Sequence, residues 1–192
     1  MSRFFSEKFS NLIPYTPGEQ PTDQQYIKLN TNESPFPPSP KAQAYAAKAA
    51  EQLMLYPDPE CRQLRKKLAD VLGVNEDEVL LTNGSDEILE YAFMAWCDEK
   101  HPAVFADITY GFYKVFADLY SLPCTIIPLT EDFTIEIDAY CKAKGTVIIA
   151  NPNAPTGIAL SPKEIETILQ SEPDRLVIVD EAYVDFGGES CI

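Results

Sequence analysis

The sequence predicts an α/β fold, a mostly parallel mixed sheet covered by helices and preceded by an extended N-terminal arm. Three observations carry this expectation. The runs Thr146-Val-Ile-Ile-Ala150 and Leu176-Val-Ile-Val179 are continuous, β-branched and closed by polar, turn-forming residues, the pattern of parallel strands buried on both faces. Segments of helical spacing alternate with such runs, and that alternation implies a parallel sheet with helices packed on it. Pro14, Pro17, Pro21, Pro35, Pro37, Pro38 and Pro40 crowd the start of the chain. Proline fixes φ and removes a backbone donor, so residues 1–40 read as an arm.

From Pro40 the pattern turns helical. Residues 41–55 are alanine-rich, and residues 59–72 set Leu64, Leu68, Val71 and Leu72 on one stripe that Gly73 stops. Tyr56-Pro-Asp-Pro59 separates these two helices. A short strand is expected at 78–81, then the turn Thr82-Asn-Gly-Ser-Asp-Glu87 and a helix that places Ile88, Leu89, Ala92, Phe93 and Trp96 on one face. Strand 103–108, helix 111–120 and strands 124–128 and 146–150 follow. A helix at 161–170 starts on Ser161 with Pro162 at its first position, and strand 176–179 closes the series. The expected division is an arm, 1–40, and one α/β domain, 41–192.

Composition excludes several classes of function. With 45% hydrophobic residues in 192, the chain can bury a full core. Thirty acidic against fifteen basic residues give a net charge of −15, which repels nucleic acid and anionic membrane surfaces. Cys61, Cys97, Cys124, Cys141 and Cys191 are scattered without a Cys-x-x-Cys pair, and His101 is the only histidine. That argues against a disulfide framework or a metal site and fits a reducing cytosol. Met1-Ser-Arg-Phe-Phe lacks the apolar run of a signal peptide, and no segment approaches the roughly 20 apolar residues of a membrane span. A soluble, cytoplasmic protein is expected.

The groups able to carry chemistry collect at strand-to-helix turns. In Asn83-Gly84-Ser85-Asp86 a glycine before a helix start leaves backbone N–H groups converging on one point, with the positive helix end behind them, so phosphate can be held there. A plain N-cap by Ser85 or Asp86 explains the same residues. Asp180 ends a buried apolar strand, where a carboxylate loses hydration and needs a cation or strong donors. A protonated ring nitrogen would satisfy it, and so would a structural set of donors. Tyr183 either points its hydroxyl at the same ligand or packs as a half-buried tyrosine. Tyr110 follows a strand, where its face can lie over a flat ligand or join the core. In Asn151-Pro-Asn-Ala-Pro-Thr-Gly157 the prolines and the glycine force a loop in which one X-Pro bond can be cis, directing Asn153 or a backbone group; the alternative is a rigid connector. Their joint occurrence, in this order across one sheet, is specific.

With these residues the chain resembles the fold-type I pyridoxal-phosphate enzymes, within them the class II aminotransferases, and most nearly the histidinol-phosphate aminotransferase family. The likeness rests on Leu12-Ile-Pro-Tyr-Thr-Pro-Gly18, Leu29-Asn-Thr-Asn-Glu-Ser-Pro35, Tyr56-Pro-Asp-Pro59, Thr82 to Glu87, Thr109-Tyr-Gly-Phe-Tyr113, Asn151 to Gly157 and Val179-Asp-Glu-Ala-Tyr-Val-Asp-Phe186. It runs over essentially the whole chain.

The resemblance implies roles for these positions. Asp180 would pair with the pyridinium nitrogen of pyridoxal 5′-phosphate, keeping the ring able to accept electrons from the substrate Cα. Tyr183 would hydrogen-bond the phenolic oxygen, Tyr110 would stack on the ring, and the amides of Gly84, Ser85 and Asp86 would hold the phosphate. Tyr56 would reach the phosphate of a neighbouring subunit, implying a homodimer, and Asn30, Asn32 and Glu33 would line the substrate side. The implied activity moves an amino group between histidinol phosphate, or a related amino acid, and 2-oxoglutarate in histidine biosynthesis. An amino-acid-phosphate decarboxylase or an aromatic aminotransferase of the same fold, or a non-catalytic remnant, are the alternatives. Two departures stand out. The family usually has asparagine directly before Pro-Thr-Gly, where this chain has Ala154 and offers Asn153 one place earlier. The family's lysine that carries the cofactor lies beyond the Asp-Glu-Ala-Tyr strand and is not among these 192 residues, nor is a C-terminal small domain. Residues 41–192 therefore read as an incomplete large domain, and the chain alone is expected to be inactive.

Overall fold

In the computed structural model the described residues are 4, 6–9, 13, 16 and 18–192. Leu12, Pro14, Tyr15 and Pro17 of the arm motif, and most of the first five residues, lie outside them. The chain divides into two units, Tyr15–Leu81 and Met1–Pro14 with Thr82–Ile192. The division thus falls after Leu81, not at the 40/41 boundary expected from the proline distribution.

In the first unit, residues 18–39 carry neither helix nor strand. Helix α1 (Pro40–Ala50) begins on Ser39, whose hydroxyl accepts from the Ala42 amide, with proline at the first position. It stops five residues short of the expected end, and 51–54 continue only as turns. Helix α2 (Arg62–Leu72) ends on Gly73 at φ 73°, a left-handed cap that glycine supplies without strain. The strand expected at 78–81 is absent: Asn75 and Glu78 close a capping box on a short 3-10 turn, and Val79 is extended without a ladder partner among the described residues.

The second unit holds helix α3 (Ser85–Trp96), strand β1 (Ala103–Ala106), helix α4 (Phe112–Leu119), strand β2 (Cys124–Ile127), helix α5 (Ile137–Lys142), strand β3 (Thr146–Ala150), helix α6 (Pro162–Ser171) and strand β4 (Val177–Asp180). The four strands form a parallel sheet in the order β2-β1-β3-β4. Alternate strand residues feed two cores. Ala103, Phe105, Ile148 and Ala150 face Leu89, Phe93, Tyr113 and Phe116 from α3 and α4. Val104, Val147 and Ile149 face Tyr140, Ile165 and Ile168 from α5 and α6. This is the period-2 alternation of a strand buried on both sides.

The order also fixes where a ligand can go. From β1 the chain proceeds to β2 on one side, then returns to β3 on the other. The carboxyl ends of β1 and β3 therefore flank a topological switch point, where open parallel sheets leave a crevice.

Candidate active site

At that crevice Tyr110 follows β1 by four residues, Asn151 directly follows β3 and Asp180 ends β4, and the turn at Gly84 opens α3 beside them. A small cleft of about 60 Å³ there is lined by Ser85, Tyr110, Asp180 and Tyr183, with Ala150, Pro152, Ala154 and Ala182 completing its wall. Four of the residues singled out from the sequence thus meet in one place.

Asp180 is the last residue of β4, in register with Ala150. Its neighbour but one, Ile178, packs into the α3–α4 core, so strand alternation sends the carboxylate to that same face. There the Tyr113 hydroxyl donates to Oδ2 at 2.7 Å and the Ala182 amide donates to Oδ1 at 3.1 Å. No lysine or arginine pairs with Asp180 among the described residues. Tyr113 is fully buried, and that burial first, then the adjacent Asp180 charge, pushes its phenol far above the ordinary range. It is a fixed donor. In the sequence Tyr113 stands only as the end of the Thr109–Tyr113 motif; its signal is a tyrosine within an otherwise apolar helix face.

The α3 start leaves backbone donors open. Gly84 sits at φ 85° and ψ 178°, a conformation open essentially to glycine alone, and supplies no side-chain cap. The amides of Gly84, Ser85 and Asp86 have no acceptor among the described residues. Asp86 does not cap them: its Oδ1 accepts from the Tyr110 hydroxyl at 2.7 Å. Glu87 turns back to accept from the Asn83 amide at 2.6 Å and the Tyr91 hydroxyl at 3.0 Å, bonds that hold its carboxyl below the usual range.

Tyr110 stacks on Phe112, with ring centroids 5.7 Å apart and planes at 19°, and meets Tyr113 edge-on. The Tyr183 hydroxyl has no hydrogen-bond partner among the described residues. In the 151–157 loop two X-Pro bonds are cis, Asn151–Pro152 and Ala154–Pro155, where one was expected. Asn153, expected to direct its amide at the ligand, commits it to the loop instead. Its Nδ2 donates to the Ile108 carbonyl and to Thr156 Oγ1, and its Oδ1 accepts from Thr109 Oγ1. Ala154, one place on, lines the cleft with a methyl group. The carbonyl and amide of Leu160 are bound by Asn151, which is buried and also structural.

The remaining candidates lie in the Tyr15–Leu81 unit. Tyr56 is fully exposed between α1 and α2. Asn30 donates to the Glu19 carbonyl at 2.8 Å, Asn32 has φ 54°, and Glu33 pairs with Lys28 at 2.5 Å.

The chain is similar to known proteins over its whole length. The histidinol-phosphate aminotransferase of Clostridium acetobutylicum is 50% identical over the whole chain, and that of Marinomonas sp. 53% identical. The chain spans 55% of the length of each. Among solved structures, a protein from Erwinia carotovora described as a putative histidinol-phosphate aminotransferase superimposes with a TM-score of 0.76 at 32% identity, covering 85% of this chain and 49% of that one. The enzyme from Sinorhizobium meliloti, solved with pyridoxal-5′-phosphate, shares the fold with a TM-score of 0.74 at 24% identity, covering 81% and 44%. Residues 24–192 match the family described as aminotransferase class I and II, and the chain belongs to that family.

Proposed function

We propose that the protein acts as a pyridoxal-phosphate-dependent aminotransferase, moving an amino group between histidinol phosphate, or a related amino acid, and 2-oxoglutarate in histidine biosynthesis. The observation that carries this reading is Asp180: a carboxylate fixed by two donors, without a cation of its own, at the switch point of a parallel sheet. The residues present fit the cofactor. Three amides without acceptors at Gly84, Ser85 and Asp86 suit its phosphate, Asp180 suits a protonated ring nitrogen, and the Tyr183 hydroxyl suits the phenolic oxygen. Tyr110 supplies an aromatic wall. When bound, the group supplies an electron sink for the pair released at the substrate Cα.

The chain's own residues bind and orient. Asp180 keeps a proton on the ring nitrogen, the α3 amides fix the phosphate end, and Pro152 and Ala154 exclude water from one wall. Asn153 fixes the loop, leaving Ala154 where the family's asparagine stands. Among residues 82–192, Lys100, Lys114, Lys142, Lys144 and Lys163 all lie away from the cleft lining. We therefore propose that these 192 residues alone form no covalent link to the cofactor and catalyse no transamination. In the working enzyme we place Asn30, Asn32 and Glu33 on the substrate side and Tyr56 at a neighbouring subunit's phosphate, in a cytoplasmic homodimer. Relatives named for histidinol phosphate, about 50% identical over the whole chain, support that substrate.

The test measures glutamate formed from 2-oxoglutarate by the full-length gene product with histidinol phosphate as donor. Steady glutamate release is expected. No release with histidinol phosphate, but release with an aromatic amino acid, would refute the substrate assignment.

A further inference from the structure

Tyr113 is fully buried among aromatic rings, with Phe93, Phe105 and Tyr110 centroids 6.1, 5.8 and 5.7 Å away. A phenylalanine would fill that space as well. Its hydroxyl has one partner, Asp180 Oδ2, 67 residues further along the chain. A buried hydroxyl without a partner is costly, so the presence of tyrosine is explained by the carboxylate it serves.

We propose that Tyr113 is a positioning residue of the cofactor site, fixing the Asp180 carboxylate in direction by a hydrogen bond from the first turn of α4 to the end of β4. The proposal rests on the cofactor reading above. With the Ala182 amide on Oδ1 and Tyr113 on Oδ2, each oxygen has one protein donor, and the remaining acceptor capacity is free for a group in the cleft. The bond also ties β4, an edge strand, to a helix packed over the centre of the sheet, so the acid cannot rotate independently of the crevice. The titratable groups around the phenol are Asp180, Tyr110 and Tyr140, none of them cationic. Burial and the Asp180 charge keep the phenol protonated, which makes it a donor at every pH at which the site works.

The test compares wild type, Tyr113→Phe, Asp180→Asn and the double variant by equilibrium dialysis against pyridoxal phosphate and its 1-deaza analogue, which lacks the ring nitrogen. Tyr113→Phe is expected to weaken pyridoxal phosphate about tenfold, the scale of one hydrogen bond to a charged group, and the analogue by less than about twofold. Adding Tyr113→Phe to Asp180→Asn should weaken it no further. Equal loss for both ligands, the mark of a merely structural tyrosine, or loss for neither would overturn the proposal. A wild type that binds neither ligand refutes the cofactor reading itself. A second readout needs no cofactor and no phenylalanine variant: the Tyr113 ¹³Cζ resonance followed into alkaline pH should titrate earlier in Asp180→Asn than in wild type. Coincident curves would overturn the contact.

Discussion

At the scale of single residues, the site depends on atoms whose alternatives are closed. Gly84 adopts φ 85° and ψ 178°, with open space where a Cβ would stand, so the penalty for any side chain is backbone strain and not a clash. Gly84→Ala is expected to destabilise the protein by about 1–3 kcal/mol in denaturant unfolding and to weaken phosphate-bearing ligands, because the amides behind it lose their common aim. The buried phenols give a second expectation. Tyr113 and Tyr140 are both shifted above the ordinary value of 10.0, chiefly by burial. The folded state keeps protons that the unfolded chain releases, so their contribution is complete below pH 10 and is lost as the pH rises beyond it. Unfolding free energy measured against pH should fall above pH 10, and fall less steeply in Tyr140→Phe. Asn153 has a role that its local sequence does not show. Its amide was visible in the sequence, but the partners that claim it, Ile108 and Thr109, lie more than forty residues away and become neighbours only when β1 and β3 pair.

At the scale of elements, legibility followed burial. The continuous runs at β3 and β4 match the strands to within a residue: β3 is buried at every position, and β4, half-buried throughout, still packs Ile178 into one core and Val177 and Val179 into the other. Helix α6 announced itself through Ser161 and Pro162, and its capping box with Glu164 is present. Helix α5 was missed: six residues, with no side-chain cap from Glu136, give too little period to detect. The strand expected at 78–81 and the last turn of the helix expected at 41–55 have the right local composition. Neither has a packing partner among the described residues, with Leu53, Met54 and Leu80 about 70–80% exposed. Arg175 holds the ends of two elements together. Its two terminal nitrogens donate to the Tyr140 and Ala143 carbonyls at the end of α5 and to Ile168 and Ser171 at the end of α6, all within 2.9 Å. A buried cation facing two helix C-termini also complements their dipoles. Arg175→Met is expected to cost about 3 kcal/mol in equilibrium unfolding, and Arg175→Lys to restore little, since one ammonium cannot span both carbonyl sets.

At the scale of the whole molecule, the sheet order explains why residues from three strand ends become one site. A parallel sheet that grows first to one side of β1 and then to the other leaves its crevice where Tyr110, Ala150 and Asp180 converge, and the Gly84 turn opens beside them. The order of the turns along the sequence implies strand ends close together, but the β2-β1-β3-β4 order is not legible there, because parallel neighbours carry no local register signal. The boundary between units was less legible still: prolines mark the arm, but contacts group α1 and α2 with it. The central claim, that Asp180 faces a protonated ring nitrogen, is tested most directly by the ¹⁵N resonance of ring-labelled pyridoxal phosphate bound to the protein. The account predicts a protonated ring nitrogen in wild type and its loss in Asp180→Asn. A free-base nitrogen in wild type, or the same resonance in both, would contradict it.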